Sequence, residues 1–295
     1  MSESDTKAYL FEKGNPSPLD SAYIPIFSHA IQYGLGIFEI MRVYSSVIPF
    51  FEEHLQKARN AAEKIGMKIN PTQEEITEAV YRTIDAEGMQ KGTMKILFPG
   101  EGDSFEANKF AVICARKLSF DEKSYEKGIR ALTLDRKKSS VSRLAGVKTC
   151  NHLENLLAYR EAKEKGFDEA ILLNEKGNIC ECTSSNLFFI KGKIIYTPSL
   201  KQGIFAEVTR DKVIKVALRE RFKIYEGKIR TSRIKDVDEV FMTSSLAEVI
   251  SIVEIGTMKI GKGIPGAKTQ RLHALYKNML EEEILRIKTS LRSRA

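Results

Sequence analysis

Lys148, Glu181 and a helix start with the hydroxyl of Thr209 lie between residues 146 and 210. Lys148 stands in Gly-Val-Lys-Thr-Cys-Asn-His, among small and apolar neighbours, at the expected mouth of a helix. A lysine attacks an aldehyde only after losing its proton, and burial among apolar groups favours the neutral amine. Glu181 lies in Ile179-Cys-Glu-Cys-Thr-Ser-Ser-Asn186-Leu-Phe-Phe-Ile190, which reads as one strand over 179–190. There the period of two puts Glu181 and Thr183 on one face, opposite Cys180 and Cys182. A carboxylate beside a pyridine nitrogen keeps that nitrogen protonated, so the ring accepts the electrons of a carbanion. Val208 and Thr209 open a helix expected over 207–221, whose first N–H groups suit a phosphate, with the threonine hydroxyl as a further donor. An aldehyde, a basic ring nitrogen and a phosphate are the three handles of pyridoxal 5'-phosphate, and these residues match them. Each also has a plainer reading: a surface lysine, a solvated acid, a helix cap at Thr209 and, for the later hydroxyls of Ser244-Ser245, an ordinary turn.

The elements that must position these residues follow from periodicity. Ala8–Phe11 reads as a short strand before a Pro/Gly/Asn turn. Gly36 to Tyr44 reads as a buried strand entered through a glycine-rich bend, and those glycines do not fit Gly-x-Gly-x-x-Gly, so a dinucleotide site is unsupported. Leu55, Ala58, Ala62 and Ile65 recur at helical spacing, with acids leading and Gly66 closing the helix. A second helix runs from Asn70-Pro71 to Gly88. Strands are expected at 93–98, 109–115 and 129–134. Residues 135–145 are polar, basic and serine-rich and read as a linker. A helix at 151–165, strands at 168–174, 179–190 and 193–196, the helix at 207–221, strands near 222–226 and 238–243, short strands within 250–260 and a terminal helix at 268–288 complete the chain. The fold class is α/β (α+β), divided as a small domain at 1–120, an interdomain strand and linker at 121–145, and a large cofactor-binding domain at 146–295.

Composition narrows the classes. The 295 residues are 42% hydrophobic and 29% charged, the values of a globular protein. No apolar run is long enough to span a membrane, and the polar start lacks the core of a signal peptide, so a cytoplasmic location is expected. The four cysteines form no Cys-x-x-Cys pair, Cys180 and Cys182 are too close for a zinc half-site, and no metal site is expected. All four read as reduced thiols. The net charge of +8 is spread along the chain without interleaved aromatics, so no nucleic-acid partner is expected.

The ordered series Lys148, Asn151, Glu169-Ala-Ile-Leu-Leu, Gly177-Asn-Ile-Cys-Glu181, Ser185-Asn186-Leu-Phe188, Thr197-Pro198, Gly203 and Val208-Thr209-Arg210-Asp211 resembles the class IV, fold-type IV pyridoxal phosphate enzymes. That family includes branched-chain aminotransferases, D-amino acid aminotransferases and aminodeoxychorismate lyases. The resemblance implies a two-domain fold like that of D-amino acid aminotransferase, with pyridoxal 5'-phosphate as cofactor and a homodimer as the assembly. It implies that Lys148 forms the internal aldimine and moves a proton between the substrate Cα and the cofactor. It implies Glu181 on the pyridine nitrogen, Val208, Thr209 and Ser245 on the phosphate, and Lys57, His152, Ser185 and Asn186 around the cofactor. Tyr33, Phe38, Arg42, Lys95, Ser245 and Leu246 would meet the substrate, an amino acid or a 2-oxo acid, and the stretch around Arg136 would be a lid. Branched-chain L-amino acids are the expected substrates, from Ser28-His-Ala-Ile-Gln-Tyr-Gly34 with Phe38-Glu39. Thr183-Ser-Ser-Asn186 looks more like the D-amino acid and lyase members, which are the alternatives, with a non-catalytic relative behind them.

The chain departs from the family pattern at four places. Lys57 stands for the usual arginine of His-Leu-x-Arg-Leu, and keeps the charge without the bidentate geometry; Arg59 lies about 200° around the helix and is a poor substitute. His152 stands where a tyrosine is common, Glu207 where a glycine is common, and Ile40 replaces a small residue.

Overall fold

A computed structural model of the chain describes residues 6–12, 15–18, 24–118 and 120–292. The chain forms two compact units, the first of residues 1–118, 147–151 and 280–295, the second of 119–146 and 152–279.

The first unit is a five-stranded sheet backed by helices. Its elements are β1 (Thr6–Glu12), β2 (Asn15–Pro18), α1 (His29–Gln32), β3 (Gly36–Tyr44), α2 (Phe51–Lys64), β4 (Lys68–Ile69), α3 (Gln73–Ala86), β5 (Lys91–Pro99), β6 (Glu106–Ala107) and β7 (Lys109–Ala115). The sheet order is β2-β1-β7-β5-β3, and every pairing in it is antiparallel. Of the Pro/Gly/Asn turn expected after β1, Gly14 lies outside the described residues, while Asn15 and Pro16 already belong to β2 and pair with Glu12 and Phe11. Helix α2 buries Phe51, His54, Leu55, Ala58 and Ala62, a stripe at helical spacing. Helix α3 begins two residues after the expected Pro71, because Thr72 caps it: Thr72 and Glu75 form a reciprocal capping box. Both helices close the core of Ile37, Met41, Val43, Leu55, Ile76, Val80, Ile96 and Phe98.

The second unit is built on a ten-stranded mixed sheet. Its elements are α4 (Glu122–Lys127), β8 (Ile129–Lys138), α5 (Leu153–Glu164), β9 (Glu169–Asn174), β10 (Asn178–Cys182), β11 (Asn186–Lys191), β12 (Ile194–Pro198), α6 (Val208–Arg219), β13 (Lys223–Gly227), β14 (Ile229–Arg230), β15 (Glu239–Ser244), β16 (Glu248–Ile255), β17 (Met258–Lys259) and α7 (Ala267–Arg292), whose residues from 280 on belong to the first unit. The strand order is β13-β12-β11-β15-β16-β8-β9-β10-β14, with β17 on β16. Its core contains Ile171, Ile179, Leu187, Phe189, Met242, Ile250 and Ile252. Among the described residues no helix is long and apolar enough to cross a membrane.

Three sequence expectations are corrected here. The strand read over 179–190 is two strands, because Thr183–Ser185 turns: the Cys182 N–H donates to the Ser185 carbonyl, and the hydroxyls of Thr183 and Ser184 donate to Glu169. The segment read as a linker from Asp135 is still β8 through Lys138, since a register shift lets Lys137 and Lys138 pair with Leu173 and Asn174. Lys148 does not stand at a helix mouth. It lies in an extended stretch ahead of α5, bridged to β3 at Ile37 and Thr149.

Candidate active site

In the first unit the chemistry gathers at the free edge of β3. The Phe38 N–H donates to the Lys148 carbonyl and the Cys150 N–H to the Gly36 carbonyl, both at 3.0 Å. Two glycines permit this close pairing. A Cβ at Gly36 would lie 2.8 Å from Cys150 Sγ; at Gly34, where φ is +68°, it would lie 2.6 Å from the Asn151 side chain. Asn151 Nδ2 in turn donates to the Gly34 carbonyl at 3.0 Å.

Alternation along β3 decides what Lys148 meets. Ile37, Met41 and Val43 point into the core, so Glu39 points there too. A lone carboxylate in that position would be costly. Glu39 is instead held by Lys148 Nζ, 3.2 and 3.4 Å from its two oxygens, and by His54 Nδ1 at 2.9 Å. Burial pushes the Glu39 carboxyl up, but Lys148 and His54 outweigh it and hold it below the usual carboxylate range. The surroundings expected to favour a neutral lysine thus contain a buried anion that favours the charged one.

The other face of β3 carries Phe38, Ile40, Arg42 and Tyr44. Lys95 of β5 sits opposite Ile40, and its Nζ lies 4.5 Å from the centre of the Phe38 ring. Burial lowers the Lys95 ammonium from its ordinary range. The Arg42 guanidinium lies over Tyr44 at 4.8 Å. Tyr33 is exposed at the end of α1. Lys57 is half-buried one turn beyond His54, and Arg59 is tied to the carbonyls of Ile69 and Pro71.

In the second unit Glu181 is fully buried on β10. Lys138 of β8 bonds Oε1, while the Phe205 N–H at 2.8 Å and Asn186 Nδ2 at 3.3 Å donate to Oε2. Lys138 Nζ also lies 3.9 Å from the centre of the Phe205 ring. Burial pushes the Glu181 carboxyl up, and Lys138 draws it back. A carboxylate offers about four acceptor positions; these three donors leave one for a ring N–H. His152 stands at the start of α5 with its ring 5.9 Å from that of Phe205.

Helix α6 starts at Val208 and Thr209, both buried, and packs on β15. Glu207 occupies its cap position without a capping bond from the side chain. Asn186 and Thr243 are paired across β11 and β15. The hydroxyls of Ser185, Thr243 and Ser245 are buried without a protein partner among the described residues, and Leu246 follows half-buried. Unpartnered buried hydroxyls are costly unless something supplies their bonds. An anion at any of them would supply such bonds, and a helix start in the same unit suits a phosphate's charge. The residues present therefore fit pyridoxal phosphate.

Sequence reasoning passed over Glu39, His54 and Lys138 as site residues. The signal for Glu39 was present: an acid at the core-facing parity of a buried strand. His54 was visible as the polar member of an apolar helix stripe. Lys138 had no such signal, since its strand forms only through the register shift.

The model of the amino-transferase class IV family matches residues 36–255. A branched-chain-amino-acid aminotransferase of Pseudomonas aeruginosa is 27% identical over 94% of this chain and 94% of its own length. The D-alanine aminotransferase of Bacillus licheniformis is 25% identical over 88% and 93%. A T.th. branched-chain amino acid aminotransferase, solved with pyridoxamine 5'-phosphate, superposes with a TM-score of 0.84 at 27% identity, covering 93% of this chain and 94% of that one.

Proposed function

We infer, since this chain belongs to the class IV aminotransferase family, that it exchanges the amino group of an amino acid with a 2-oxo acid. Its cofactor is pyridoxal 5'-phosphate, and branched-chain L-amino acids are its preferred donors. When bound, the cofactor carries the amino group and draws electrons from the substrate Cα. Lys148 binds the cofactor aldehyde and holds or moves the proton at the substrate Cα. Glu181 accepts the ring N–H, with Lys138 opposing the rise that burial gives its carboxyl and with Phe205 and Asn186 orienting it. Val208, Thr209, Ser185 and Ser245 bind phosphate, with Lys57 supplying charge and His152 standing by the ring. Phe38, Arg42, Lys95, Tyr33 and Leu246 orient the substrate and exclude water.

The observation that carries this reading is that the buried hydroxyls of Ser185, Thr243 and Ser245 each lack a protein partner among the described residues. The working form is a cytoplasmic homodimer. Its support is the exposure of Phe27 (83%) and Ile26 (73%) in the first unit and of Leu153 (63%) and Leu156 (61%) in the second, with four free cysteines suited to a reducing compartment.

The test is product analysis with 2-oxoglutarate and either L-leucine or D-alanine, beside aminodeoxychorismate without an acceptor. Glutamate formed from L-leucine supports the reading. Turnover of D-alanine alone, or pyruvate released from aminodeoxychorismate alone, replaces it.

A further inference from the structure

Glu39 occupies a place where alternation calls for an apolar side chain. It is 4% exposed, and its neighbour across the strand pair is Ile96. His54, also 4% exposed, reaches it from α2, and Lys148 reaches it from the stretch beside β3. The other cations nearby in sequence or register lie elsewhere. Lys95 is on the opposite face of the sheet, Arg59 is bonded to Ile69 and Pro71, and the charges that act on Glu39 are those of Lys148 and His54.

We propose that Glu39, oriented by His54, is the resting partner of Lys148: it holds the amine as an ammonium and sets the pH at which that amine becomes nucleophilic. This rests on the reading of Lys148 as the residue that meets the cofactor aldehyde. Burial alone would strip the proton from a lysine at low pH, and a buried carboxylate opposes that. To react, the ammonium gives its proton to solvent. The neutral Nζ would then offer its lone pair to an aldehyde carbon, the chemistry a carbonyl cofactor would supply when bound. Glu39 and His54 are positioning residues in this account, since they act through Lys148.

The test uses the full chain freed of carbonyl compounds with hydroxylamine. Acetic anhydride labels its amines in competition across pH, and mass spectrometry reads the peptide that contains Lys148. Glu39→Gln keeps the shape and removes the charge, so the labelling midpoint falls by about one pH unit, a tenfold gain in labelling at a fixed lower pH. His54→Phe removes a donor that shares Glu39, so the midpoint rises. Opposite shifts support the proposal, because a purely structural role does not produce them. A midpoint unmoved in folded Glu39→Gln, or shifts in the same direction, overturn it; if one variant does not fold, the other decides. Pyridoxal phosphate added to the same wild-type sample reads the cofactor assignment separately. A visible band that depends on Lys148 keeps that assignment, and its absence sinks the assignment whichever way the labelling falls.

Discussion

Lys148 is pulled two ways, by the low dielectric that favours a neutral amine and by the Glu39 carboxylate 3.2 Å away. Lys148→Ala removes the amine assigned to the cofactor aldehyde, so neither a visible absorbance band nor transamination is expected from that variant. Glu181→Gln removes the charge that holds the ring nitrogen protonated, and kcat is expected to fall about 100-fold or more while the fold is kept. Glu207 is buried at the cap of α6, where a negative charge opposes an incoming phosphate. Glu207→Gly is expected to tighten cofactor binding by roughly 1 kcal/mol, about fivefold in Kd, read by absorbance titration. A weaker Kd would show that Glu207 points its charge away from the phosphate. At this scale Glu181 was legible as an acid flanked by cysteines in a strand, while Lys148 and Thr209 gained their meaning only from the ordered motifs around them. Glu39 stood out less, since its meaning depends on which face of β3 is buried.

Among the elements, the helices were the most readable. The stripe and leading acids of α2 act within a few turns of chain, so sequence spacing carries them, whereas the Thr72 cap that sets the start of α3 went unread behind Pro71. Thr72→Ala removes the reciprocal cap of α3 and is expected to cost about 1 kcal/mol in urea denaturation. The break between β10 and β11 was not readable, because Thr and Ser tolerate strands and their anchor, Glu169, lies on another strand. The extension of β8 was hidden for the same reason: only β9 gives Lys137 and Lys138 their partners. One joint between elements predicts pH behaviour. Asp238 accepts the Gly192 N–H and pairs with Lys268 and Lys191, which holds its carboxyl at about 2. A carboxyl lowered on folding adds stability above its unfolded value, near 4, and loses it as pH falls through its folded value. Thermal midpoints are therefore expected to drop between about pH 4 and about pH 2, with a shallower drop in Asp238→Asn.

At the scale of the molecule, light scattering is expected to give twice the 33.3 kDa chain mass, and Phe27→Asp with Ile26→Asp to weaken that dimer. A monomer at all concentrations would leave the exposed apolar side chains of both units without the proposed role. The central claim is that this chain uses Lys148 and pyridoxal phosphate to take an amino group from a branched-chain L-amino acid. The visible spectrum of the purified protein with added cofactor, before and after L-leucine, tests it most directly. The account predicts a yellow protein that L-leucine bleaches and that 2-oxoglutarate restores. A yellow protein indifferent to L-leucine would contradict the substrate, and a protein that stays colourless with excess cofactor would contradict the claim itself.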